Sequence, residues 1–143
     1  MKSSVPDTRI QPLLTLPVRR DGDYVLYWIT AFRRTGGNFA LQHALDFCAE
    51  LDRPLLVLEA LRAGYPWASD RFHRFILDGM ADNAARFGRA GVTCHSYVEP
   101  RRGAGRGLLS ALASRACVVL CRPVASNHRP SVTDTSTTQP TSK

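Results

Sequence analysis

The residues best placed to do chemistry gather where short apolar runs give way to polar ones. Thr30, Arg33, Arg34 and Asn38 follow the run Tyr24-Val25-Leu26-Tyr27-Trp28-Ile29, and Glu59 and Tyr65 follow Leu55-Leu56-Val57-Leu58. If both runs are parallel strands, these six residues lie just past strand carboxyl ends, where ligands bind in open α/β sheets. A hydroxyl, two guanidinium groups, an amide, a carboxylate and a phenol suit a nucleotide-like ligand. The competing reading is structural: Asn38 only caps a helix, and the arginines face solvent or a further domain.

A second candidate is the loop Gly103-Ala104-Gly105-Arg106-Gly107. Backbone N–H groups between a strand and a helix can receive a phosphate. The loop misses the dinucleotide fingerprint because Leu108 stands where the third glycine belongs. It reads equally as a flexible surface turn. His43, His73, His95 and His128 show no metal-ligand spacing with any cysteine. No Ser/His/Asp or paired-carboxylate arrangement stands out either, so no catalytic residue and no metal is assigned.

The elements that must position these groups follow from periodicity. Tyr24–Ile29 is apolar on both faces, as a central parallel strand is. Asn38 caps a helix bearing Phe39, Leu41, Ala44, Leu45, Cys48 and Leu51, and Arg53-Pro54 ends it. Leu55–Leu58 is a second buried strand. Ser69 or Asp70 caps a long helix whose stripe of Phe72, Phe75, Ile76, Met80, Ala84 and Phe87 reads as core, with Gly88 and Gly91 as its stop. Val92–Val98 is a third strand, 108–116 a short helix, and Cys117–Leu120 a fourth strand. Strand and helix alternate with short links, which gives an α/β class: a Rossmann-like parallel sheet with helices on both faces.

Three segments result: an irregular lead-in over 1–22, an α/β domain over 23–121, and a tail over 122–143. The tail holds nine Ser/Thr and three Pro and almost nothing apolar, so it is expected to be disordered. The 143 residues allow one ordinary domain. Their 44% hydrophobic and 22% charged content is that of a globular protein. A net charge of +7, from 19 basic against 12 acidic residues, permits nucleic-acid contact without showing it. Cys48, Cys94, Cys117 and Cys121 sit in apolar runs and form no C-x-x-C pair, the pattern of reduced core thiols. No run approaches the ~18 apolar residues of a membrane span, and the first residues lack a signal peptide's apolar stretch. The cytoplasm is the expected location.

Several blocks resemble the DNA photolyase family, and within it the N-terminal α/β domain of the class II type. They are Asp23-Tyr24-Val25-Leu26-Tyr27-Trp28, then Arg33-Arg34, then Asn38-Phe39-Ala40-Leu41. Pro54-Leu55-Leu56-Val57-Leu58 and Tyr65-Pro66-Trp67-Ala68-Ser69-Asp70-Arg71-Phe72-His73-Arg74-Phe75 extend the likeness. The last block is the most specific, since a generic amphipathic helix does not need that aromatic and arginine pattern. The resemblance covers roughly residues 9–120.

It implies a light-driven repair enzyme, a deoxyribodipyrimidine photo-lyase acting on cyclobutane pyrimidine dimers in UV-damaged DNA. In such enzymes the α/β domain can hold an antenna folate or deazaflavin. A helical domain binds FAD and the flipped-out dimer. That helical part has no counterpart here, so the chain is expected to be inactive alone. After Ala116-Cys117-Val118-Val119 the likeness stops, and Leu120-Cys121-Arg122-Pro123 leads into the tail. An interrupted coding sequence would do this; so would a free-standing Rossmann-like module that binds a nucleotide or a partner. A fragment of this kind is expected to self-associate through an unprotected edge beside Cys117–Leu120.

Overall fold

The computed structural model describes residues 4–12, 17–31, 33–64 and 69–122. Its elements are a 3-10 turn at Asp7–Arg9, β1 (Tyr24–Ile29), α1 (Phe39–Leu51), β2 (Leu55–Leu61), α2 (Asp70–Arg89), β3 (Thr93–Val98), α3 (Leu108–Ala113) and β4 (Ala116–Cys121). The strands form one parallel sheet in the order β3-β2-β1-β4. The α/β class read from the sequence is the observed one.

β1 is flanked by a strand on each side, and its apolar run follows from that. Val25, Leu26, Tyr27 and Ile29 are all buried. Side chains alternate across a strand, so β1 feeds two cores. Val25, Tyr27 and Ile29 join Leu55 and Val57 beneath Leu41 and Ala44 of α1 and Phe87 of α2. Leu26 and Leu58 pack on the other face, with Leu108, Leu109, Leu112 and Ala113 of α3 against that cluster. Two helices therefore cover one face and a single short helix the other. Trp28 joins the α3 side as packing.

Most boundaries fall within a residue or two of those read from periodicity. β2 runs three residues further, to Leu61, because β3 pairs with it up to Val98. α3 stops at Ala113, not 116, since Ala116 already pairs with Tyr24 as the start of β4. α1 ends through Asp52, whose φ of +51° is left-handed and whose N–H reaches the Cys48 carbonyl. In α2 it is Gly91, at φ +70°, that turns the chain, and Gly88 stays helical.

One core assignment is corrected. Phe72 and Phe75 are 47% and 75% exposed. The buried residues of α2 are Met80, Asn83 and Phe87, all in its second half, and no residue of its first ten, the two phenylalanines included, is buried. The lead-in is more ordered than its composition suggests: Val5 is buried, and the Ser4 N–H and hydroxyl both donate to the Asp46 carboxylate. Leu13-Leu14 and the tail beyond Arg122 lie outside the described residues.

The lead-in enters β1 by a close approach. Asp23 N–H donates to the Arg115 carbonyl at 2.8 Å, and Arg19 N–H to that of Cys117 at 2.9 Å. A Cβ on Gly22 would stand 2.5 Å from the Cys117 nitrogen and 2.7 Å from the Ala116 carbonyl carbon. Both atoms belong to backbone and cannot step aside as a side chain could. Gly22→Ala is expected to cost about 1–3 kcal/mol of stability, measured by urea denaturation. An unchanged midpoint would show that β4 can shift away freely.

Candidate functional site at the carboxyl end of the sheet

The loops after β1, β2 and β3 and the residue after β4 emerge at one end of the sheet, because all four strands are parallel. Strand order reverses direction between β1 and β4, which makes that boundary the switch point where such sheets open a crevice. Thr30 lies there, its hydroxyl donating to the Arg122 carbonyl.

The other expected residues are brought together, though largely with one another. Glu59 extends the face of β2 that carries Leu55 and Val57, and it is fully buried. Burying a carboxylate requires partners. Arg33 supplies one, with Nη1 3.1 Å from Glu59 Oε1 and Nη2 donating to the Ala60 carbonyl at 3.0 Å. Asn83 on α2 supplies another: its Nδ2 lies 3.4 and 3.3 Å from the two carboxylate oxygens, and 3.3 Å from the Arg33 carbonyl. The network links the β1 loop, the end of β2 and the middle of α2.

Asn38 is also committed. Its Oδ1 accepts the Leu41 N–H, capping α1, while Nδ2 donates to the Tyr27 hydroxyl at 2.7 Å and to the Arg34 carbonyl at 3.1 Å. Burial raises the Tyr27 phenol above its ordinary pKa, and the Asn38 contact partly opposes the rise. Arg34 donates to the Gly37 carbonyl at 3.2 Å and is exposed. Tyr65 lies outside the described residues.

The glycine loop has its own anion. Glu99, at the end of β3, accepts N–H bonds from Gly103 at 2.8 Å and Gly105 at 3.3 Å through Oε1, and from Ala63 at 2.9 Å through Oε2. The amides that a phosphate would use are satisfied by this carboxylate. The Ala63 amide first, then those of Gly105 and Gly103 with the charge of Arg62, hold Glu99 below its ordinary pKa, against desolvation. Neither Asn83 nor Glu99 was singled out from the sequence. Asn83 could have been, because an amide at spacing 80-83-87 falls on an otherwise apolar face.

Two clefts open here. One, of about 120 Å³, is lined by Leu61, Arg62, Ala63, His73, Leu77, Val98 and Glu99. The other, about 250 Å³, lies by the start of α1 and includes Asn38 and Thr35. Drug-sized ligands fill roughly 300–1,000 Å³, so neither cleft encloses a whole flavin or folate. Among the described residues no cluster of His, Cys, Asp and Glu could hold a metal, and no helix is long and apolar enough to cross a membrane. The four cysteines are free thiols; burial raises Cys48, Cys94 and Cys121 above their ordinary pKa, as in unreactive core cysteines.

Over 71 residues the chain is 34% identical to the deoxyribodipyrimidine photo-lyase of Methanothermobacter thermautotrophicus. The match takes in 50% of this chain but 16% of that much longer protein. No family model matches the chain. The similarity supports a relationship to the photolyase family, with a photolyase-related role and nothing narrower.

Two outcomes follow from the site. Arg33→Met leaves the Glu59 charge buried with its main partner gone, and should destabilise the fold by about 3 kcal/mol in urea or thermal unfolding. A loss below about 1 kcal/mol would mean that Asn83 alone suffices. Glu99, with its pKa lowered by folding, contributes stability that is present above the unfolded carboxylate range and lost as pH falls through the folded value. Protection of the Ala63, Gly103 and Gly105 amides against exchange, taken relative to the intrinsic rate at each pH, should therefore hold through that range and fall only below it. In Glu99→Ala this protection should be low at every pH.

Proposed function

We propose that this chain is the antenna-type α/β domain of a light-driven DNA-repair enzyme, a deoxyribodipyrimidine photo-lyase of the class II type, and that it is inactive by itself. The observation that carries the reading is the 71-residue match to a photolyase, on a chain whose β1, α1 and β2 fold as the resemblance requires. The proposed division is a lead-in over 1–22, the domain over 23–121 and a tail over 122–143, in a cytoplasmic protein. Thr30, Arg33, Arg34, Asn38, Glu59 and Tyr65 line the proposed antenna or nucleotide pocket. Arg33 and Glu59 hold each other, with Asn83, and Asn38 is held separately by Tyr27 and the cap of α1.

In this reading the flavin-binding and dimer-binding surfaces belong to a separate helical domain, as the resemblance implies. The exposed Phe72 and Phe75 give the fragment an apolar face that favours self-association in that domain's absence. The second reading is a free-standing Rossmann-like module for a nucleotide or partner chain. It is favoured by Glu59 and Glu99, the buried carboxylates among the described residues, both finding their partners within the chain.

Purified protein is expected to show no flavin absorption and no blue-light repair of a thymine-dimer oligonucleotide. Adding a separately expressed helical domain from a photolyase should restore a measurable repair rate. Stoichiometric flavin on the chain alone, or repair without the added domain, would sink the proposal.

A further inference from the structure

The net charge of this protein is not spread over its surface. The carboxyl-end loops, residues 30–38, 62–69 and 99–107 together with residue 122, contain Arg33, Arg34, Arg62, Arg101, Arg102, Arg106 and Arg122 and a single acid, Glu99. The amino-end loops, 17–23, 52–54, 90–92 and 114–115, carry Arg19, Arg20, Arg53 and Arg115 against Asp21, Asp23 and Asp52. Ion pairing follows the same division. Arg19–Asp21, Arg20–Glu50 and Arg115–Asp23 lie at the amino end, while the carboxyl end has the buried Arg33–Glu59 pair. Among the described residues Arg101, Arg102 and Arg106 are exposed and form no ion pair.

The arginines are also held in place. Glu99 ties the loop bearing Arg62 to the loop bearing Arg101, Arg102 and Arg106 through the Ala63, Gly103 and Gly105 amides. The Arg102 stem lies against Gly64, where a Cβ would come within 3.1 Å of its Cδ. The local acid thus positions the loops, and its single charge offsets only part of theirs, through Arg62. Neighbouring strands stand ~4.8 Å apart, well inside a Debye length of ~8–10 Å, so these guanidinium groups repel one another. Such a row costs stability unless an anion covers it.

We infer that the carboxyl-end arginine row is a binding surface for the phosphodiester backbone of a nucleic acid, recognised without regard to base sequence. Four strand positions span roughly 14 Å, and one strand of duplex DNA places a phosphate every ~3.4 Å of axis; the row therefore meets about four phosphates. Of the 19 basic residues only Lys2 and Lys143 are lysine, and guanidinium groups grip phosphate in two-pronged fashion where an ammonium cannot. The family resemblance assigns the pyrimidine dimer to a helical domain. This surface belongs to the α/β domain itself and requires no light chemistry, so a failed repair assay leaves it standing.

The test is fluorescence anisotropy of the full 143-residue chain with a labelled 20-base-pair DNA of arbitrary sequence, titrated at several salt concentrations. About four contacts predict a log–log salt slope near −3.5, a loss of roughly a hundredfold between 50 and 200 mM. Replacing Arg101, Arg102 and Arg106 by Ala together removes the β3 position of the row and should reduce the slope to about −2.7, weakening binding at least tenfold at low salt. Replacing Arg20, Arg53 and Arg89, which removes the same charge from the other end, should change either quantity less than twofold. Arg101→Glu alone serves if the triple variant melts early, and should weaken binding about tenfold. Equal losses in both triple variants would overturn the inference, since binding would then follow net charge. So would weak, salt-insensitive binding, or capture by phosphatidylserine vesicles with none by DNA.

Discussion

A carboxylate with no exposure at the end of a buried strand constrains much of this structure. Glu59 continues the face of β2 that carries Leu55 and Val57, so strand parity turns it inward beneath the helical layer. It can stay there only if charge and hydrogen bonds meet it. Arg33 reaches it from the loop after β1, and Asn83 from the middle of α2. Once Asn83 must face the sheet, Met80 and Phe87 come inward with it, and the buried residues of α2 all lie in its second half. One buried charge thereby decides the course of a loop and the roll of a helix.

The two ends of the sheet solve different problems. At the amino end the lead-in is stitched to β4 through Cys117 and Arg115, with Gly22 too close for any side chain, and exposed charges are paired nearby. That end is closed. At the carboxyl end Arg33, Glu59 and Asn83 satisfy one another, while Arg101, Arg102 and Arg106 are exposed on a loop. Glu99 links these two conditions, for it settles three backbone amides while fixing two arginine-bearing loops side by side. A parallel sheet places its loops for chemistry at this end in any case; here the charge agrees with the topology.

Much of the fold was legible in the sequence. Continuous apolar runs such as Tyr24–Ile29 have few other places to go than a strand covered on both sides, and Asn38 before an apolar periodic stretch is a local capping signal that works the same way in any context. The alternation of such runs sets an α/β class because each helix must bury its stripe on the neighbouring sheet. The placement of Thr30, Arg33, Arg34, Asn38 and Glu59 at one end followed from the same logic, since parallel strands deliver their following loops together.

What those residues do there was decided only by the tertiary structure. Arg33 and Glu59 stand 26 positions apart, and Glu99 and Ala63 36; no local pattern says that either pair meets. Periodicity gives the spacing of a stripe but not how much of a helix's length is covered, which is why Phe72 and Phe75 read as core while the buried positions are Met80, Asn83 and Phe87. The glycine loop likewise offered backbone amides to any anion, and only folding showed that the chain's own Glu99 takes them. Local preferences and alternation act over a few residues and belong to the sequence; partners for buried charge are chosen across the sheet, after the chain has closed on itself.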